Sequence, residues 1–166
     1  MRRVVVSSIL AIVLAFSAVR LSADSRPVLT GAAAGIELCP QFICGFALFA
    51  GLFEGQVNSR PASGGFAAAV LHGPLAPPLQ STPIVGGQFT ITAGHRTFRG
   101  DVTGGTIVTL NETQFCVFMA LEITDGGRGE IFFKGLLDHG PFPPTIVGLV
   151  TQTPDPCPVF AAVGAN

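Results

Sequence analysis

Apolar residues recur at every second position over long stretches of this chain, and a period of two belongs to β-strands. Over 114–123 the side chains of Phe115, Val117, Met119, Leu121 and Ile123 fall on one face. The run Thr124-Asp125-Gly126-Gly127 follows, rich in residues that tolerate a positive φ. Over 129–137, Ile131, Phe133 and Leu137 then share one face, with Glu130 and Lys134 on the other. This pattern predicts a β-hairpin. A second hairpin is expected from 88–93 and 97–102, turning at Gly94-His95-Arg96. Further strands are expected over 42–57 (as one long strand or two short ones), 65–72, 106–110 and 145–151. No segment beyond the N-terminus sustains a helical period. Seven or eight strands in simple order predict an all-β domain, either an antiparallel up-and-down barrel or a two-sheet sandwich.

Three segments share the form apolar-x-Gly-x-apolar: Phe53-Glu54-Gly55-Gln56-Val57, Phe98-Arg99-Gly100-Asp101-Val102 and Phe133-Lys134-Gly135-Leu136-Leu137. Each glycine lies on the apolar side of its strand, where a missing side chain lets the sheet coil tightly around a small core. That favours closure into a barrel. Several strands are apolar on both faces, since Phe118 and Ala120 oppose the Phe115 row and Phe132 and Leu136 oppose the Phe133 row. A second layer, subunit packing and a membrane-embedded barrel would each explain this. Interfacial girdles in membrane barrels lean on Trp and Tyr, and the chain has neither, so no integral membrane insertion is expected. A protein partner or self-association is the expected cover.

The N-terminus reads differently. Arg2 and Arg3 precede an apolar run from Val4 to Val19, and Ser22-Ala23 offers small residues for cleavage. This is the layout of a secretory signal peptide over 1–23. Residues 24–41, rich in Ala and Gly, are expected as a loosely ordered leader into a domain over 42–166. After cleavage six basic residues stand against ten acidic ones, a net charge of −4, and no basic cluster remains. Nucleic-acid binding is thereby excluded, because phosphate recognition needs several cations on one face. The expected location is secreted, either periplasmic or extracellular.

Export also decides how Cys39, Cys44, Cys116 and Cys157 are read: an even count in an oxidising compartment predicts two disulfides. Cys39 and Cys44 are close enough to ring Pro40-Gln41-Phe42-Ile43, leaving Cys116 for Cys157. The alternative joins Cys39 to Cys157 and Cys44 to Cys116. The spacing matches no zinc motif, so no metal or cofactor is assigned.

Candidate chemistry gathers at an internal echo. His72-Gly73-Pro74-Leu75-Ala76-Pro77-Pro78 resembles His139-Gly140-Pro141-Phe142-Pro143-Pro144, and Ile84-Val85-Gly86 and Ile146-Val147-Gly148 follow the two copies. His-Gly-Pro ends a strand well, because proline cannot continue the ladder. The functional alternative places His72 and His139 at one barrel end, where, with Asp138, they bind a ligand or metal or share acid–base work. His95 is expected as a solvated turn residue. Glu54, Asp101 and Glu130 are expected on outer faces, and their spacing singles out no catalytic pair. Fourteen Phe with no Tyr or Trp either pack a solid core or wall an apolar cavity, with Phe53, Phe98, Phe115 and Phe133 as the candidate lining. The sequence thus points to an exported, non-enzymatic binding or structural module. A carrier of a small apolar ligand is the first alternative, and a small barrel enzyme or metal-binding protein using His72 and His139 is the second.

Overall fold

A computed structural model describes residues 26–158; the signal-peptide expectation over 1–23 lies outside the described residues. The chain forms a closed antiparallel barrel of eight strands in sequence order. They are β1 (Leu29–Cys39), β2 (Ala47–Val57), β3 (Arg60–His72), β4 (Ser81–Ala93), β5 (Arg96–Thr109), β6 (Gln114–Asp125), β7 (Gly129–Asp138) and β8 (Thr145–Thr151). One helical turn, α1 (Gln41–Cys44), stands between β1 and β2. The barrel alternative is therefore the correct one, and closure leaves no sheet edge to protect.

Closure depends on a segment that carries no strand signal. Residues 24–41 were expected as a loose leader, yet Leu29–Cys39 pairs with β2 along one side and with β8 along the other. Its run Thr30-Gly31-Ala32-Ala33-Ala34-Gly35 is poor in the β-branched and aromatic residues that mark strands. Backbone proximity demands this composition. Gly31 faces Gly55, and Gly35 faces Gly51, across the β1–β2 ladder. A Cβ on Gly31 would stand 2.7 Å from the Gly55 Cα and 2.9 Å from the Phe53 ring. Phe53 thus lies over a glycine pair, and Phe133 does the same for Gly135 and its β8 neighbour Gly148, its Cζ 2.6 Å from either added Cβ. The glycine pattern read from the sequence marks the places where a phenylalanine ring occupies the space its neighbours vacate. At Gly100 the close neighbour is instead the Glu122 backbone.

Inside, Phe49, Phe53, Phe89, Phe98, Phe115 and Phe133 are buried with Val, Ile and Leu from every strand. An interior void of about 20 Å³ beside Phe66, Phe89 and Phe133 is of the order of one water and wholly apolar in its lining. The core is solid. Of the four phenylalanines proposed to wall a cavity, Phe53, Phe98 and Phe115 do not border this void and Phe133 does. All four are packing residues, each stabilising the fold by roughly 2–3 kcal/mol through burial.

Both disulfides form as Cys39–Cys44 and Cys116–Cys157. Two such bonds are compatible with an oxidising, extracytoplasmic location. The second ties residues 152–158 back across the outside of the barrel, where Lys134 Nζ also donates to Asp155 at 2.8 Å. This strap supplies part of a second layer over β6 and β7. Next to it Phe118 and Phe132 stack at 5.9 Å on the outer face. Leu52, Leu136, Val147 and Leu149 remain exposed beyond it. No helix among the described residues is long and apolar enough to cross a membrane, which says nothing about strands.

Candidate functional site

The strands join differently at the two ends. Asn58-Ser59, Gly94-His95 and 126–128 close one end in two or three residues, whereas 40–46, 73–80, 110–113 and 139–144 are the longer connections at the other. His72 ends β3 and His139 follows β7. These strands are four apart in a ring of eight, so the histidines stand on opposite walls of one mouth. The echo is structural too: Ile84 and Ile146 point into the core while Val85 and Val147 are exposed outside.

Within this mouth lies a cavity of about 510 Å³ whose lining includes both histidines. Pro40, Phe42, Ala47, Phe49, Pro74, Leu75, Ile107 and Leu137 make its apolar wall, and Glu37, Gln41, His72 and His139 are its polar side chains. Its size falls in the range of small-molecule sites. The rim carries further exposed apolar groups: Phe42 is 87% exposed and Phe142, in the loop after β7, 99%.

Each wall is held by polar contacts that the sequence alone did not disclose. Gln41, inside the Cys39–Cys44 ring, grips the end of β3 at two points. Its Nε2 donates to the His72 carbonyl at 2.6 Å, and its Oε1 accepts from the His72 amide at 2.8 Å. Beside it, buried Thr82 and Thr109 order the loop that supplies Pro74 and Leu75. Thr82 Oγ1 donates to Pro74 O and accepts from Ala76 N, and Thr109 Oγ1 donates to Ala76 O. The Glu37 amide donates to Pro144 O at 2.9 Å, and the His139 amide to Thr113 O at 2.7 Å, fixing the loop after β7. Satisfied buried hydrogen bonds of this kind give loops a single shape.

Glu37 is the residue that sequence reasoning missed. It sits on the inward face of β1, its side chain 4% exposed, and its Oε2 stands 3.0 Å from His139 Nε2. Neither atom has an aligned hydrogen-bond partner, so they approach as a pair by distance without ideal N–H direction. The His139 ring also leans on Phe115 at 5.0 Å. Once β1 is recognised, the alternation Leu29, Gly31, Ala33, Gly35, Glu37 places this carboxylate inside. Without a visible strand there was no parity to read.

Asp138, proposed to work with the histidines, is turned to the loop backbone. Its Oδ1 accepts from the Gly140 amide at 2.8 Å and its Oδ2 lies 3.4 Å from Gln114 Nε2. It does not line the cavity. Glu54, Asp101 and Glu130 lie exposed on the outside of three different strands, and His95 is exposed in its turn. Among the described residues, no three His, Cys, Asp or Glu side chains are grouped to hold a metal ion. Chemically, the site offers a carboxylate–imidazole pair for proton handling, with no Ser, Thr, Cys or Lys among the residues lining it to act as a nucleophile. No protein-family model, no curated protein and no solved structure matches this chain.

Proposed function

We propose that this chain is an exported, non-enzymatic binding module whose ligand is a small molecule seated in the cup at the loop end of the barrel. One observation carries the reading: a cavity of about 510 Å³ with apolar walls and an incompletely paired, buried Glu37. Apolar walls supply affinity and a few fixed polar groups supply orientation, which is the usual division of labour in ligand pockets. The solid interior directs the carrier idea to the mouth and away from the centre of the barrel.

A second reading, an interaction module, rests on the exposed outer row of Leu52, Leu136, Val147 and Leu149. Lipid around the whole barrel is disfavoured by the polar outer residues Gln88, Thr90, Arg99 and Asp101 on β4 and β5, because a membrane barrel needs an apolar band on every strand. A neutral solvatochromic dye such as Nile red separates the two readings. Leu75→Glu, in the cup wall, is expected to abolish its fluorescence gain, while Val147→Glu, on the outer wall, leaves it intact. The reverse result would transfer the function to the outer face.

A further inference from the structure

Resting on the cup reading, we infer that the ligand is an organic amine: an apolar body, of the size of one or two rings, carrying a protonated nitrogen. The polar inventory of the cup leads there. The His72 Nδ1 lies 2.6 Å from Gly73 O. A carbonyl oxygen only accepts, so Nδ1 carries the hydrogen, and in that tautomer Nε2 is left as the acceptor. Both ends of the Gln41 amide are spent on the His72 backbone. The backbone amides of Gly45 and Gly73 are also engaged, donating to Gln41 O and Pro83 O. His139 Nε2 already faces Glu37. Among the described residues, no Lys or Arg lines the cavity.

Among the side chains, what remains on offer is a carboxylate and a ring nitrogen, both acceptors, set among aromatic and aliphatic groups. A carboxylate or phosphate ligand would meet the like charge of Glu37 without a cationic side chain among the described lining residues to offset it. A neutral apolar ligand would leave the buried Glu37 oxygen incompletely satisfied, which is costly. An ammonium head group supplies both the charge and the hydrogens that Glu37 lacks. Phe42 and Phe49, which line the same cavity, offer aromatic rings for cation–π attraction.

The test is calorimetric titration of the purified, oxidised chain at low salt with three probes of one shape: 2-phenylethylamine, 2-phenylethanol and phenylacetate. The amine is expected to bind at least about tenfold more tightly than the alcohol, as a charge-assisted hydrogen bond in a dry site gives, and phenylacetate more weakly than either. Glu37→Gln, nearly isosteric, is expected to erase the preference for the amine, with an unchanged amide NMR dispersion reporting an intact fold, while Val147→Glu on the outer wall keeps that preference. Equal binding of amine and alcohol by the unaltered protein, or an amine preference that survives Glu37→Gln, would overturn the inference and leave the cup reading standing. Binding of none of the three would overturn both.

Discussion

At one end of the barrel the chain turns back within two or three residues over the buried side chains of Val57, Phe98 and Ile123, with a more open hollow of about 480 Å³ beside the turns at Asn58 and Gly94. At the other it takes four to eight residues for each return, and the opening is kept. The short end is closed by local rules. Asn58 and Ser59 both take positive φ (52° and 64°), the two-residue turn that matches strand twist. Gly94 and Gly126 do the same for the next two turns. The buried Pro27 packs on Gly127, and Val28 is tied to Asn58 by two hydrogen bonds, the Asn58 amide donating to Val28 O and the Val28 amide to Asn58 Oδ1. The long end is ordered by side-chain devices: a disulfide ring, a glutamine hooked on a strand end, and two buried threonines. Such devices cost sequence length and buried polar atoms without adding core. That expenditure makes sense where a shaped opening is needed, which is why the proposed binding function is assigned to the loop end.

Substitutions sharpen this contrast. The largest difference is expected between two phenylalanines. Phe98, fully buried under Arg96 at the turn end, should lose about 3–5 kcal/mol of stability on Phe98→Ala by denaturant unfolding. Phe42, on the cup rim, should change stability by no more than about 0.5 kcal/mol on Phe42→Ala and instead weaken ligand binding. Equal losses of stability at the two positions would erase the distinction between a packed end and an open one.

The disulfides come next. Cys116–Cys157 spans 41 positions and Cys39–Cys44 only 5. Loop-closure entropy gives about 4 kcal/mol for the first and about 2 kcal/mol for the second. Replacing both cysteines of each pair by serine should therefore hurt the strap variant more in a melt. The smaller ring, however, positions Gln41 against His72, so its loss should harm binding more. A Cys39→Ser, Cys44→Ser double variant that binds as well as the parent would contradict the role given to the ring. The smallest effect is expected at the turn end. Ser59→Gly relieves a left-handed backbone and should stabilise by about 0.5–1 kcal/mol, with no change in binding.

The same contrast explains what the sequence disclosed. The hairpins at Gly94-His95 and 126–128 were legible because turn chemistry is local and strand alternation has a fixed period. β8, over 145–151, was legible to the residue for the same reason. The first strand was not, because Gly31 and Gly35 exist to let backbones touch and so carry no strand propensity. With β1 invisible, Glu37 was invisible as an inward residue. The helical turn 41–44 was merged into an apolar strand expected over 42–57, since Phe42 and Ile43 continue the hydrophobic run; in the fold they sit in a turn between Pro40 and left-handed Gly45, closed by the Cys39–Cys44 bond. The histidine echo was legible as a pattern. Its partner was not, because Glu37 and His139 are 102 positions apart and meet only through barrel closure.

The most direct test of a loop-end cup is a map of where a ligand acts. Amide NMR spectra of the oxidised chain, titrated with 2-phenylethylamine, should show shifts confined to Glu37, Gly45, Gly73, His139 and their neighbours, with Ser59, Gly94 and Gly126 unmoved. Shifts centred on the turn end or on the outer row of Val147 and Leu149, or no saturable shift at all, would contradict the account.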